Sequence, residues 1–413
     1  MNRFDEAKKA YSALGINPEN ALSVLRAIPV SLPCWQGDDV TGFEKKPSAL
    51  SGGIQSTGNH PGKARNFAEW KADFKKAASH IPGTKRINLH AMYAVTDNFV
   101  DRDALKPEHF EAWLAFAREN GLKIDFNPTF FSHPMVKDNL TLSSPDDKVR
   151  AFWVRHGIAC RKIAASIGER QGSPCLNNLW IPDGMKDIPA DRLGPRKRLK
   201  ESLDQIFAVR YPKEHLIDSV ESKVFGIGLE SYTVGSAEFY LNYAKEKGIC
   251  NLLDSGHYHP TENVADKISS LLLFSDHVAL HLTRPVRWDS DHVVRLDDAT
   301  EEMAQAIISS GTPEKFSIGL DYFDASINRV AAWIIGARNI QKALLKALLI
   351  PWETLRKLQD QGDFTRLLAL QEELKTLPFS AVWAEYCARE KVASDAGWID
   401  DVLKYEQEVQ LKR

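Results

Sequence analysis

The chain has 413 residues, of which 43% are hydrophobic and 26% are charged. These fractions are ordinary for a folded globular protein and exclude a disordered chain. Lys plus Arg number 53 and Asp plus Glu number 55, so the net charge is −2. Proteins that coat nucleic acid or bind membrane surfaces rely on a basic excess, and we therefore expect neither a nucleic-acid nor a membrane partner.

The five cysteines are widely spaced and include no C-x-x-C pair. An odd number at such spacing is typical neither of a disulfide framework nor of a thiolate zinc site. The first residues are amphipathic and carry acids, which is unlike a signal peptide. No apolar run approaches the roughly 18 residues that a membrane-spanning helix needs. These features favour reduced thiols and a cytoplasmic protein.

Residues 4–27 form a predicted N-terminal helix. After it a short apolar segment, followed by a longer helical pattern, recurs eight times. Two of these predicted helices, 107–120 and 236–247, are each followed by a glycine, which is a typical helix end. The apolar segments, which we predict to be strands, are residues 29–35, 86–93, 123–130, 175–182, 215–222, 248–258, 277–286 and 314–322.

Repeated alternation of strands and helices predicts parallel strands joined by helical crossovers. Eight units favour a (β/α)8 TIM barrel, an α/β fold, over the alternative of an open doubly wound sheet. We place this barrel, with its N-terminal helix, in residues 1–324. Residues 325–413 are predicted to form a C-terminal helical extension that packs between subunits, because residues 331–349 are unusually apolar.

The stretch 37–65 follows the first predicted strand and contains the glycine-rich sequence SGGIQSTGNHPG. It lacks G-K-[ST] and is therefore not a phosphate-binding loop. Two interpretations stay open at this point. The stretch is either a mobile lid beside the active site or an ordinary surface loop.

Metal-ligand residue types stand at the ends of the last four predicted strands, namely Glu221, Asp254, His281 and Asp321. A parallel barrel has its active site where the strands end, so three carboxylates and one imidazole are expected to converge there. Such hard oxygen and nitrogen ligands suit Mn²⁺, Mg²⁺ or Co²⁺, with Zn²⁺ as a further candidate. One acidic residue near a strand end is commonly a cap or a solvated loop residue, whereas four in succession favour a metal site.

A second group of the same residue types follows the same strands. His257 comes after Asp254, and Asp289 and Asp291 stand in the loop beyond the seventh strand. We expect these three residues to form an adjacent oxygen-rich cluster. Without a cation, carboxylates confined so closely would repel one another. Lys223, two residues after Glu221, adds the one cationic side chain of this set.

The order E-x-K, D-x-x-H, H followed by D-x-D, and a final Asp resembles the two-metal pattern of the aldose–ketose isomerases related to xylose isomerase. The xylose enzymes have Glu where Asp254 stands and Asp where His281 stands. These two differences, with the segments DSGHYHPTENVADK and HLTRPVRWDSDHVV, are similar to the bacterial L-rhamnose isomerases. The resemblance extends from PCWQGDDVTGFE through the C-terminal tail and covers essentially the whole chain.

This resemblance implies an enzyme that interconverts L-rhamnose and L-rhamnulose, the first step of L-rhamnose degradation, by a metal-mediated hydride shift. It implies two divalent cations per subunit, with Mn²⁺ first among the candidates, and a homotetramer. Glu221, Asp254, His281 and Asp321 match the ligands of a structural cation, and His257, Asp289 and Asp291 match those of a catalytic cation.

The resemblance also implies roles at the substrate. Lys223 matches a lysine near the first two sugar oxygens, and the implied catalytic residues are Lys223, His257, Asp289, Asp291 and Asp321. His90 and Trp180 look like sugar-contacting residues. A satisfied barrel histidine and a buried core tryptophan are the structural alternatives for these last two.

Two other functions fit a barrel that holds metals. A metal-dependent phosphoesterase acting on nucleic acid would need a basic groove, yet the one dense basic run, RKRLK at 196–200, indicates a solvated helix face. A non-catalytic sugar- or metal-binding protein would not need Lys223 beside Glu221. The residues alone leave two isomerase routes open, a direct hydride shift and proton abstraction through an enediol, and the resemblance favours the hydride shift.

Overall fold

The computed structural model of the chain describes residues 2–45, 51–52, 54–224 and 226–413. Its strands are β1 Val30–Pro33, β2 Lys85–His90, β3 Lys123–Asn127, β4 Cys175–Trp180, β5 Gly184–Met185, β6 Leu216–Glu221, β7 Tyr232–Thr233, β8 Cys250–Asp254, β9 Val278–Leu282 and β10 Phe316–Leu320. Eight of them form a closed parallel barrel in the neighbour order β1-β10-β9-β8-β6-β4-β3-β2. The short strands β5 and β7 pair antiparallel with each other, outside the barrel.

The predicted TIM barrel is therefore confirmed, and each barrel strand overlaps its predicted segment. Strand β1 pairs with both β2 and β10, which closes the sheet and excludes the open doubly wound alternative. Because all eight strands run parallel, their carboxyl ends meet at one rim of the barrel.

The helices are α1 Arg3–Ser12, α2 Pro18–Ala27, α3 Phe67–Ala78, α4 Glu111–Glu119, α5 Asp147–Gln171, α6 Leu193–Ile206, α7 Ala237–Lys247, α8 Ala265–Leu272, α9 Asp298–Ser309, α10 Arg329–Leu348, α11 Trp352–Asp360, α12 Phe364–Leu374, α13 Phe379–Arg389 and α14 Trp398–Glu408. The predicted helix over 4–27 is divided into α1 and α2. Gly15 has a φ of 77°, which turns the chain, and the Asn17 side chain then caps α2 by accepting from the backbone N–H groups of Glu19 and Asn20.

One layer of the barrel interior, just below the rim, is polar. Asn88, Asn127, Asn178 and Ser219 point inward and are buried. Asn127 donates to Asn88 Oδ1 at 2.6 Å, and Ser219 Oγ donates to Asn178 Oδ1 at 2.9 Å. Because buried polar groups are costly unless they are hydrogen-bonded, these pairs tie β2 to β3 and β4 to β6.

Helix α10 lies against the barrel and contacts α2, α3 and α9. The Trp333 indole on this helix is buried and donates to the Pro33 carbonyl at the end of β1. The later helices differ in burial, since α13 contributes buried side chains to the main core whereas α12 has none. A domain division between residues 324 and 325 stays a prediction.

Two further findings concern the chain as a whole. All five cysteines are buried and unpaired. Within the described ranges no helix has both the length and the apolar character that crossing a membrane requires.

Candidate metal and sugar site

Four neighbouring barrel strands bring Glu221, Asp254, His281 and Asp321 together at the rim. Glu221 and Asp254 are the last residues of β6 and β8, His281 lies in β9, and Asp321 follows β10. One ligand atom from each residue lies within 4.8 Å of the others. In the described part of the chain these four residues form the one group of metal-ligand side chains that is so closely spaced.

The distances within this quartet suit a shared cation. His281 Nδ1 lies 3.3 Å from Asp321 Oδ2, 3.5 Å from Glu221 Oε2 and 4.0 Å from Asp254 Oδ2. Buried polar atoms normally have a hydrogen-bond partner. Asp254 Oδ2 and His281 Nδ1 are buried and make no hydrogen bond. Unpartnered hard donors that point at one another fit a divalent cation, so the quartet can hold a metal ion.

The second predicted cluster lies beside the quartet. His257 Nδ1 is 2.9 Å from Glu221 Oε1, and its Nε2 is 3.3 Å from Asp289 Oδ2. The ammonium of Lys223 lies 2.6 Å from the same Asp289 oxygen. Asp291 lines the same cavity as His257 and Lys223. The structure thus places the three residues and Lys223 together, with Asp289 paired to two cationic or basic groups.

Confinement shifts the pKa values of these groups in opposite directions. Burial raises the pKa of Asp254 to about 8, and burial with the nearby Asp289 also raises that of Asp291. Burial opposes ionisation of Asp289 as well, but Lys223 and His257 lower its pKa. Burial lowers the pKa of Lys223, yet Asp289 and Asp291 outweigh it and raise the value. Lys223 therefore stays cationic, and Asp254 and Asp291 are the carboxyls that most readily take up a proton to relieve the surplus negative charge.

Glycines give these side chains room. A Cβ atom on Gly256 would lie 2.9 Å from Asp289 Oδ1 and 3.2 Å from Asp254 Oδ1. The Gly256 N–H donates to Asp254 Oδ1, which orients that carboxylate. The D-S-G-H spacing of the sequence thus allows the loop after β8 to pass between the two clusters.

A cavity of about 400 Å³ opens beside both clusters. Its lining residues are Trp35, Val40, Ile54, His90, Phe131, Trp180, Lys223, His257, Asp291, Asp321 and Phe323. Both predicted sugar-contacting residues, His90 and Trp180, are among them. Burial lowers the pKa of His90 to about 3, so its imidazole is neutral. Trp180 stacks on His257 at 6.1 Å between ring centroids, and the Lys223 ammonium lies 4.9 Å above its ring.

Sequence reasoning missed the aromatic wall of this cavity. Trp35 follows β1 and donates from Nε1 to Asp321 Oδ1 at 3.0 Å. Phe131 follows β3 and Phe323 follows β10. Their positions just beyond strand ends were the available signal, because those positions face the active-site rim of a parallel barrel.

The glycine-rich stretch 37–65 borders the cavity through Val40 and Ile54, whereas residues 46–50 and 53 lie outside the described residues. Asp39 and Val40 both have a left-handed backbone, with φ of 59° and 58°. This conformation is unfavourable for a β-branched residue. It is held by Arg329, whose guanidinium donates to both oxygens of the Asp39 carboxylate at 2.7 and 2.8 Å.

Comparison with known proteins identifies the family of this chain. The family model of L-rhamnose isomerase matches residues 1–413. The L-rhamnose isomerases of Salmonella gallinarum and Salmonella paratyphi B are each 54% identical over 410 residues, which is 99% of this chain and 98% of theirs. The chain belongs to the L-rhamnose isomerase family. The resemblance inferred from the sequence motifs is thereby confirmed.

Among solved structures, an L-ribulose 3-epimerase is 13% identical with a TM-score of 0.46. The matched region covers 71% of this chain and 96% of the epimerase chain. This likeness is too distant to inform the function, for which the family and the site geometry are the evidence.

The surplus charge at the site predicts an unusual effect of Asp254→Asn. Because the folded-state pKa of Asp254 is raised to about 8, from about 4 in the unfolded chain, the carboxyl costs stability as pH rises between these values. In metal-free protein at neutral pH, Asp254→Asn should therefore raise the free energy of unfolding by on the order of 4 kcal/mol. It should also weaken cation binding, because a carboxylate ligand is lost.

Thermal melts in chelator and calorimetric titration with Mn²⁺ measure the two effects. Asp276→Asn is the matched control, since the Asp276 side chain is exposed on the surface. A lower melting temperature for metal-free Asp254→Asn than for wild type would contradict the charge argument.

Proposed function

We propose that this chain catalyses the reversible conversion of L-rhamnose to L-rhamnulose, the first step of L-rhamnose degradation, at the barrel rim. The observation that carries the proposal is the convergence of Glu221, Asp254, His281 and Asp321 within 4.8 Å, beside an open cavity that Lys223 also lines. Membership of the L-rhamnose isomerase family supports the choice of substrate. An aldose and its 2-ketose differ only at C1 and C2, so the reaction needs charge placed at two neighbouring oxygens.

We infer two divalent cations per subunit, Mn²⁺ first, with Zn²⁺, Co²⁺ and Mg²⁺ as alternatives. The structural cation would be held by Glu221, Asp254, His281 and Asp321. The catalytic cation would be held by the three residues of the second cluster, His257, Asp289 and Asp291. The unpartnered buried donors and their oxygen and nitrogen chemistry support this. Bound there, such cations polarise the C1 and C2 oxygens of the open-chain sugar.

Lys223 is the residue of this chain best placed to stabilise negative charge on the sugar. It lines the cavity, and it is held by Asp289 on one side and by the Trp180 ring on the other. A fixed ammonium in a site shielded from water stabilises a developing oxyanion without having to reorganise. Neutral His90 bonds to Thr129 Oγ1 through Nδ1 at 3.1 Å, which leaves its Nε2 for a sugar hydroxyl.

The catalytic set that we propose is Lys223, His257, Asp289, Asp291 and Asp321, acting by a hydride shift between C2 and C1. The contacts that the carboxylates already make support the hydride shift. Asp289 is paired with Lys223, and Asp321 accepts from Trp35 and faces His281. Burial and Asp289 raise the pKa of Asp291, so without a cation this carboxyl tends to hold a proton and is not available as a carboxylate base. An enediol route needs a free carboxylate base, and none of these three fits that description.

The alternative function, a metal-dependent phosphoesterase acting on nucleic acid, would need a basic groove beside the metal-ligand residues. The basic run 196–200 lies instead on α6, where Lys200 pairs with Asp204 and Glu246. None of its residues lines the cavity beside the quartet. The charge distribution thus favours a small neutral substrate.

We also propose a cytoplasmic homotetramer in which residues 325–413 contribute to packing between subunits. Buried, unpaired cysteines support a reducing compartment. Helix α12 has no buried residue in the isolated chain, and it exposes the large apolar side chains of Phe364 and Leu368. Exposed apolar side chains grouped on one helix favour a protein interface.

The proposed oligomer predicts a particle about four times the mass of one chain. Analytical ultracentrifugation at micromolar concentration measures this directly. Phe364→Ser combined with Leu368→Ser should shift the distribution towards smaller species, and Leu193→Ser is the control because Leu193 is an exposed leucine outside the C-terminal region. A wild-type chain that sediments only as a monomer would refute the tetramer.

The proposed reaction predicts that exhaustive chelation abolishes conversion of L-rhamnose and that Mn²⁺ restores it. L-Rhamnulose formation is followed colorimetrically, with a panel of other aldoses for comparison. The same assay run in D2O should give product without solvent deuterium at C1 or C2, because a hydride shift does not exchange with water. Full turnover after chelation would overturn the metal requirement, and deuterium incorporation would favour the enediol route.

Lys223→Met should lower kcat by about 100-fold or more while both cations remain bound, since it removes a charge aimed at substrate oxygen. Metal content is measured by mass spectrometry and the fold by thermal melting. Lys213→Met is the matched control, because the Lys213 side chain is 81% exposed and pairs only with exposed Asp276. Wild-type turnover by Lys223→Met would show that its assigned role is wrong.

A further inference from the structure

The imidazole of His281 is held from below by an asparagine of a different strand. Asn88, in β2, is buried, and its Nδ2 lies 3.2 Å from Nε2 of the ring. A Cβ atom on Gly319 would lie 2.8 Å from His281 Cδ2 and 3.3 Å from Asn88 Nδ2. The ring and the amide therefore share the space left by a bare glycine backbone in β10, which limits their movement.

Asn88 is itself fixed from the other side. Its Oδ1 accepts a hydrogen bond from Asn127 Nδ2 at 2.6 Å, and the same Asn127 nitrogen donates to the Leu89 carbonyl at 3.1 Å. A chain of contacts thus runs from β3 through Asn127 and Asn88 to His281 in β9. At its far end Nδ1 of His281 faces the carboxylates of Glu221, Asp254 and Asp321.

We propose that Asn88 is a positioning residue of the quartet, which holds His281 through Nε2 so that Nδ1 points at the cation. Asn88 is absent from the residues that line the sugar cavity, so its effect is exerted through His281 alone. The inference rests on the proposed function, because it concerns the cation of the same site. Partners of this kind fix the ring orientation of histidine ligands and tune their affinity for metal.

The chemistry of a neutral histidine ligand adds a constraint on Asn88. When Nδ1 offers its lone pair to a cation, the ring proton is on Nε2, which then needs an acceptor. Asn88 presents its amide nitrogen to Nε2, while its oxygen accepts a hydrogen bond from Asn127. Cation binding therefore requires the Asn88 amide to turn its oxygen towards His281.

Two substitutions separate these requirements. Asn88→Leu keeps similar size but offers no acceptor, whereas Asn88→Asp offers an oxygen in either orientation and adds negative charge. Asn251→Leu is the matched control, since Asn251 is a buried asparagine of barrel strand β8 that borders an outer groove with Leu253. Each variant is prepared metal-free as the full chain and titrated with Mn²⁺ by calorimetry.

We expect Asn88→Leu to bind one of the two cations about 10- to 100-fold more weakly than wild type, with a somewhat lower metal-free melting temperature because Asn127 loses its Asn88 acceptor. Asn88→Asp should bind at least as tightly as wild type, and Asn251→Leu should be unchanged. Nitrogen-15 NMR of the Zn²⁺-loaded wild type should place the His281 proton on Nε2. These results together would support the positioning role.

The outcomes distinguish the two proposals. A wild-type chain that binds no Mn²⁺ would overturn the cation part of the proposed function. Wild-type binding together with undiminished binding by Asn88→Leu would overturn the role of Asn88 alone. If Asn88→Leu does not fold, Asn88→Asp decides the matter, because weaker binding by a folded Asn88→Asp contradicts the need for an acceptor.

Discussion

The confinement of like charges at one rim of a closed parallel barrel is the constraint on which the rest of this structure depends. Neighbouring strands end in carboxylates, and because the sheet is closed these side chains converge at the same rim. Among the cavity and quartet residues, Lys223 shares the positive charge with His257 and His281; burial opposes the charge of both imidazoles, but the neighbouring carboxylates raise their pKa values. Burial makes each ionised carboxylate costly, and its neighbours add repulsion. The pKa values of Asp254 and Asp291 are therefore raised, whereas Lys223 and His257 lower that of Asp289.

The polar side chains inside the barrel, just below the rim, lower the cost of confining these charges. Many TIM barrels fill their interior with branched apolar side chains. Here Asn178 donates to the Glu221 carboxylate from one strand, and Ser219 orients Asn178 from the next. Trp35 supplies a further donor to Asp321. Neutral donors stabilise the charged form of a carboxylate without adding charge of their own, so the site keeps its affinity for cations.

The sequence made the barrel and the quartet predictable because both depend on local order along the chain. Each strand is a short apolar run, and each acidic residue stands at the end of its run, so topology alone brings Glu221 and Asp321 together. The break between α1 and α2 was missed, although Gly15, Asn17 and Pro18 are typical helix end and start signals. The pattern of apolar residues continues through 4–27 and is typical of one helix.

The remaining features depend on contacts between distant parts of the chain. Trp35 and Asp321 are 286 residues apart, and no local pattern pairs them. The partnership of Asn88 with His281 spans 193 residues. A weaker signal was present in both cases, because a polar or aromatic residue at an inward position of a barrel strand, or just beyond its end, is unusual in a purely structural barrel. Such positions identify candidates, but the pairing needs the fold.

The helices after the barrel contribute to the site as well as to the surface. Arg329, at the start of α10, is buried and holds Asp39, which precedes cavity residue Val40. Its guanidinium also donates to the carbonyls of His60 and Pro61, at the far end of the glycine-rich stretch. Loss of one partner of a buried ion pair costs about 3–5 kcal/mol, which is comparable to the strain of the two left-handed residues Asp39 and Val40 at about 1–3 kcal/mol each. Arg329 therefore helps to maintain a strained cavity wall, which couples residues 325–413 to the shape of the cavity.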